Sequence, residues 1–260
     1  DDVHSPFFPP QARRGDSQKR TLYLGVLKTM DEQLGALFDY IRSKKELREN
    51  TLVLICSDNG PEQGAGSAAP LRGGKTMLYE GGVRSPLVVW GPGLIAKAKA
   101  GQRDDRSVFA AIDLVPSLLA VARVAAPAGV KFDGQNMADT LLGKAAASRQ
   151  GPLFFRRPPD RPGERGANPP DPAVRDGRWK LLCAYAGSLA QLYDLEKDPS
   201  EAANLAPREP GVVGRLTDKL LAWQRELPAD AGPTFDQPKK AHAPLYHNNR
   251  APLVEKPYRK

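Results

Sequence analysis

Thr51-Leu-Val-Leu-Ile-Cys-Ser-Asp-Asn-Gly-Pro61, then Leu71-Arg-Gly-Gly-Lys-Thr-Met-Leu-Tyr-Glu-Gly-Gly-Val-Arg-Ser-Pro86, is the stretch whose reading decides the fold. The run Thr51–Cys56 is short, continuous and apolar, which suits a strand buried on both faces of a parallel sheet. Pro86-Leu-Val-Val-Trp90 is a second buried strand candidate, closed by Gly91-Pro92-Gly93. Between them the chain is dense in glycine and has no apolar periodicity, so it reads as a loop. Ligands in open α/β sheets gather at the C-terminal ends of strands. Chemistry is therefore expected in the loop from Ser57 to Gly82.

Working outward, Leu22, Val26, Leu27, Met30, Leu34, Leu37, Phe38 and Ile41 recur at spacings of three and four. That is one apolar face of a helix running from about Ser17 to Lys45. Helix, strand, then functional loop is the α/β rhythm. Asp113 is placed to cap a further helix carrying Leu114, Leu118, Leu119 and Val121, with Pro116 in its first turn. From Gly151 the texture changes. Arg156–Pro172 is rich in Pro, Arg and Gly and reads as a long loop. Trp179–Cys183 and Gln191–Leu195 read as antiparallel strands about a Gly187-Ser188 turn. Val212 to Leu227 is helical, with Val213, Leu216, Leu220 and Trp223 on one side, and the pattern ends after Pro228. The expected organisation is an α/β domain over 1–150, a small α+β domain over 151–228 and a poorly ordered tail over 229–260.

Asp58 and Asn59 offer adjacent oxygens, one charged and one neutral, which suits a hard cation such as Ca²⁺ or Mg²⁺. On its own the Asp-Asn-Gly triplet reads sooner as an Asx turn. Lys75, flanked by glycines, can bring an ammonium up to a tetrahedral oxyanion while the backbone stays clear. Glu80 and Arg84 stand four apart, a spacing at which they can pair and hold the loop.

These segments together resemble the second half of the formylglycine-dependent (type I) sulfatases of the alkaline phosphatase superfamily. Asp2-Val-His4-Ser-Pro-Phe-Phe-Pro-Pro10 is similar to the family's His-x-Pro segment. Ala173-Val-Arg-Asp-Gly-Arg-Trp-Lys-Leu-Leu182 and Gln191 to Ala206 resemble its C-terminal domain. The resemblance implies an alkaline-phosphatase-like sandwich of helices around a mostly parallel sheet, here truncated, with a smaller C-terminal α+β domain. It implies that Asp58 and Asn59 are two ligands of a Ca²⁺ ion, with Mg²⁺ the lesser alternative. It implies too that Lys75 binds the sulfate group, and that His4 contacts the sulfate or assists departure of the alcohol oxygen. Family members often carry Gly after the lysine, where this chain has Thr76.

The family nucleophile lies in a Cys/Ser-x-Pro-x-Arg motif whose first residue is oxidised to formylglycine, and this sequence contains no such motif. The chain is therefore expected to be a piece of a longer protein, inactive by itself, with formylglycine in the N-terminal part. In the intact enzyme the resemblance implies attack of a hydrated aldehyde on sulfur, release of the alcohol, then expulsion of sulfate. A sheet cut in this way is expected to expose an apolar strand edge and uncovered faces.

Composition narrows the classes. The 260 residues are 40% hydrophobic and 26% charged, ordinary for a globular protein. No run approaches the roughly 18 apolar residues of a membrane span. The net charge of +8 admits an anionic partner. Its basic stretches, around Arg156–Arg165 and from Lys239 onward, do not interleave with aromatics as a nucleic-acid binder's would. A sulfated small molecule or polysaccharide is the expected partner, with no nucleic acid and no membrane span. Cys56 and Cys183 form no metal spacing and read as small buried thiols. No signal peptide is visible in the chain. The resemblance nevertheless implies an exported protein, whether periplasmic, secreted or lysosomal. A phosphomonoesterase or phosphodiesterase of the same superfamily and a non-catalytic anion-binding remnant are the alternatives. No feature fixes the oligomeric state.

Overall fold

The computed structural model describes residues 16–95, 97–157 and 171–228. In chain order the elements are α1 (Asp16–Ser43), α2 (Lys45–Asn50), β1 (Val53–Cys56), α3 (Glu80–Val83), β2 (Leu87–Trp90), α4 (Leu114–Ala122), α5 (Ala138–Leu141), β3 (Leu153–Arg156), β4 (Pro172–Asp176), β5 (Trp179–Leu182), β6 (Gln191–Asp194) and α6 (Pro210–Glu226). The described residues fall into two compact units. One comprises 16–25, 58–85, 152–157 and 171–228; the other comprises 26–57, 86–95 and 97–151.

The first unit is built on a four-stranded antiparallel sheet in the order β3-β4-β5-β6. Side chains alternate across it with period two. Val174, Leu181 and Leu192 point to one face, where Leu216 and Leu220 of α6 complete a buried cluster. Phe154 stacks on Trp223 there, with ring centroids 5.0 Å apart. Ala173, Leu182 and Tyr193 point to the other face and pack against Leu78 and Tyr79 of the glycine-rich segment. The sheet is thus a platform with a helix beneath and the candidate loop above. Pro210 opens α6 at a position whose missing N–H costs nothing. The expected β5–β6 pair is present, with Lys180 opposite Tyr193. Strands β3 and β4 were not anticipated; β4 begins at Pro172, inside a stretch that reads as loop.

The second unit holds β1 and β2, and here the structure corrects the sequence reading. The two strands pair antiparallel, Val53 with Trp90 and Cys56 with Leu87, where the first was expected to be a strand of a parallel sheet buried on both faces and the second a buried strand. The connecting loop doubles back on itself, so β2 returns beside β1 without a crossover, and one face stays partly open. Val88 is 54% exposed, and Cys56 is exposed where a buried thiol was expected. Apolar groups on α1 (Met30, Leu37) and around α4 (Ile112, Val115, Val124) are also exposed, in line with the expected uncovered faces. Near its end α1 is well seated. Ile41 is buried, and Phe38 meets Trp90 edge to face at 4.9 Å.

Asp113 sits at the start of α4 as expected but reaches backward instead of capping that helix. Its carboxylate accepts from the Ala110 and Gln135 N–H groups and pairs with Arg149 at 3.1 Å, the two charged side chains being buried. No helix among the described residues is long and apolar enough to cross a membrane.

Candidate functional site

Strand β1 delivers Ser57–Pro61, and two backbone hydrogen bonds clamp that segment to the lysine loop. Gly60 N–H donates to Gly82 O at 2.8 Å, and Lys75 N–H donates to Pro61 O at 3.0 Å. The contact is close enough to require glycine. A Cβ on Gly60 would lie 1.9 Å from Gly81 O, and one on Gly82 2.0 Å from Met77 O. Asp58, Asn59 and Lys75, chosen from sequence as metal and anion ligands, are thereby gathered onto one pair of loops. Asp58 and Lys75 are exposed and Asn59 half-buried, so the loops present these groups outward. His4 lies outside the described residues.

Lys75 meets Glu62 at 3.7 Å, with both side chains nearly half exposed. Such a pair contributes no more than about 1 kcal/mol, so an arriving anion can displace it. Sequence reasoning did not single out Glu62. Gly74 O accepts from Met77 N–H at 3.0 Å, which closes a four-residue turn around Lys75 and Thr76. Thr76 has φ +75°, the left-handed value a type II turn demands at its third position, where glycine is favoured. The departure noted in sequence therefore falls on a residue under backbone strain.

Beneath the loop lies a buried charge cluster. Lys180 Nζ, on β5, is 2.8 Å from Glu80 Oε1 and 3.0 Å from Glu201 Oε1, with all three side chains at most 3% exposed. Glu201 also accepts from the Glu80 N–H at 2.6 Å. Burial raises the Glu201 carboxyl above its ordinary value, and the Lys180 charge acts in the opposite direction. Arg72 adds a second tie. Its guanidinium donates to Tyr193 OH at 2.9 Å and lies 4.1 Å from the centre of the Tyr79 ring. The Glu80–Arg84 pair expected from spacing exists at 3.6 Å, on the solvent side of Glu80.

Asp58 and Asn59 fit a share of a hard cation's shell, with one carboxylate and one carboxamide on a backbone held in place. A full Ca²⁺ shell takes six to eight oxygens. Among the described residues no group of three or more His, Cys, Asp or Glu is arranged to hold a metal. Cys183 is buried, and burial pushes its thiol up to about 11, so it is inert as a nucleophile.

Comparison with known proteins gives two family matches. The model described as "Sulfatase" matches residues 2–124, and that described as "N-sulphoglucosamine sulphohydrolase, C-terminal" matches residues 74–226. Arylsulfatase A of Homo sapiens is 33% identical over 90% of this chain and 48% of its own length. An N-acetylgalactosamine-6-O-sulfatase of Bacteroides thetaiotaomicron is 31% identical over 84% of this chain and 45% of its own. The chain spans about half the length of these relatives. A solved structure from Bacteroides thetaiotaomicron, described under metabolism of multiple glycosaminoglycans, superposes with a TM-score of 0.64 at 28% identity. It covers 86% of this chain and 49% of its own. The fold class is the α/β, alkaline-phosphatase-like one of these proteins.

Proposed function

The chain belongs to the sulfatase family, and from that footing we propose that it supplies the lysine side and part of the metal side of a sulfuric-ester hydrolase's site. The observation that carries the reading is the double backbone clamp, Gly60 to Gly82 and Pro61 to Lys75, which gathers the metal-type oxygens and the ammonium. In this proposal Asp58 and Asn59 hold Ca²⁺ together with oxygens from outside the described residues. When bound, the ion offsets charge on the ester's sulfate oxygens. Lys75 leaves Glu62 and pairs with a sulfate oxygen, where its charge acts as the ester bond breaks. Gly74 beside it lets the loop pack against Pro61, where a Cβ would lie 2.8 Å from the Pro61 carbonyl oxygen. His4 donates toward the departing alcohol oxygen. The nucleophile comes from outside this sequence, and the chain alone does not turn over.

The substrate we propose is a sulfated sugar or an aryl sulfate. The names of the relatives above support this, and the basic character of the chain agrees with it. Export of the working enzyme to periplasm, medium or lysosome belongs to the same proposal.

The test is hydrolysis of an aryl sulfate and an aryl phosphate by the full-length gene product, with calcium and with chelator. Loss of one donor at such a site costs about 100- to 1,000-fold in turnover. Lys75→Ala and Asp58→Ala are expected to show losses of that order on the sulfate ester. Cleavage of the phosphate ester with the sulfate ester spared would overturn the reading.

A further inference from the structure

The buried cluster beneath the loop does more than join two pieces of chain. An ion cluster of this kind is a poor source of net stability, because desolvating two carboxylates and an ammonium offsets most of their attraction. Direction is what such a cluster provides, and here the geometry is directional. Glu80 opens the four-residue helix α3, and its neighbours hold both functional loops. Gly81 N–H donates to Arg72 O at 2.7 Å, at the start of the lysine loop, and Gly82 O accepts from Gly60 N–H at 2.8 Å, next to Asn59. Fixing Glu80 therefore fixes, within two residues, the carbonyl that orients the Asp58–Asn59 segment and the strand of chain that leads to Lys75. Lys180 fixes Glu80 from the sheet, and Glu201 from the segment between β6 and α6. One grips its carboxylate and the other its backbone N–H, at 2.8 and 2.6 Å. Lys180 cannot drift, since it is fully buried in β5 opposite Tyr193.

We propose that Glu80 is the positioning residue of the lysine loop, acting through the backbone and held in register by Lys180 and Glu201. The proposal rests on the reading of Lys75 as the sulfate ligand. It assigns none of the three a contact with substrate.

The test uses the full chain, labelled with ¹⁵N and titrated with inorganic sulfate, with the Lys75 amide as reporter. Glu80→Ala leaves the Lys180–Glu201 pair whole and keeps the backbone N–H bond to Glu201, so the variant loses only the carboxylate links to Lys180 and Arg84. Its sulfate Kd is expected to rise at least tenfold, and hydrogen exchange at the Lys75 and Gly60 amides to accelerate by a similar factor. Glu80→Gln retains an oxygen for Lys180 and is expected to stay within about threefold of wild type. Leu216→Ala, a core truncation on the other face of the sheet, lowers the melting temperature and is expected to leave the sulfate Kd unchanged. A sulfate Kd unchanged in Glu80→Ala, with Lys75→Ala abolishing binding, would overturn the positioning role and leave the ligand reading standing. Binding that survives Lys75→Ala would overturn the ligand reading and the positioning role with it.

Discussion

Replacing Thr76 by glycine is expected to stabilise the protein, and the sign follows from two opposing magnitudes. Thr76 holds φ at +75° because the turn closed by Gly74 O and Met77 N–H requires it. For an L-residue the left-handed region costs about 1–2 kcal/mol, and a β-branched side chain sits toward the upper end. Glycine removes that strain but frees the unfolded chain, which costs about 0.5–1 kcal/mol. The difference leaves roughly 0.5–1 kcal/mol in favour of Thr76→Gly. Equilibrium unfolding in urea measures it as a higher midpoint at unchanged slope. Thr76→Ala keeps the positive φ and most of the strain, so its midpoint should move by less than half as much. A lower midpoint for Thr76→Gly would refute the reasoning. It would mean that the threonine side chain, and not the turn, sets this backbone.

Gly60→Ala should act in the opposite direction. A Cβ 1.9 Å from Gly81 O must push the two loops apart and break the Gly60–Gly82 bond, at about 2–4 kcal/mol by urea unfolding. A thiol reagent such as DTNB at pH 8 should label one cysteine in the folded protein and two after denaturation, and Cys56→Ser should abolish the native signal, because Cys56 is exposed and Cys183 buried. Asp176 is held below its ordinary 3.8 first by the Lys219 hydrogen bond and then by the charges of Lys219 and Arg215. The stability this gives is present above pH 3.8 and lost as the pH falls through the lower native value. Asp176→Asn should therefore cost about 0.5 kcal/mol near neutrality, the pair being solvent-screened, and nothing once wild type is protonated too.

Periodicity made part of the fold legible. Helices α1 and α6 follow from spacings of three to four, which local chain geometry imposes, and the β5–β6 pair from two short strand-like runs about the Gly187-Ser188 turn. Strand β4 was hidden because it starts at a proline in a stretch dense in Pro, Arg and Gly. A proline is tolerated as the first residue of a strand, where no ladder donor is needed. The antiparallel pairing of β1 and β2 was illegible for another reason. A uniformly apolar run states how much of it is sticky but not which partner it takes, and Cys56 at its end carries no sign of exposure.

Asp58, Asn59 and Lys75 could be singled out as candidates because each sits in a short motif. Lys180 and Glu201 could not, since 100 and 121 residues separate them from Glu80, which spacing alone offers only as a partner for Arg84. One signal could have found them. Alternation along Trp179-Lys180-Leu181-Leu182 places Lys180 on the same inward face as Leu182, and a buried ammonium needs an acidic partner. Glu62 left no such trace, because an exposed glutamate in a loop is unremarked until a lysine is seen beside it.

The most direct measurement of the central claim is the coupling between the two ligand types in the full-length gene product. Sulfate affinity is measured with and without calcium for wild type, Asp58→Ala, Lys75→Ala and the double variant. If the two loops form one site, calcium should raise sulfate affinity at least fivefold. Asp58→Ala should erase that gain, and the two substitutions should combine non-additively. Additive losses, with sulfate affinity indifferent to calcium, would contradict the account and leave the Asp58–Asn59 and Lys75 loops as neighbours without a shared ligand.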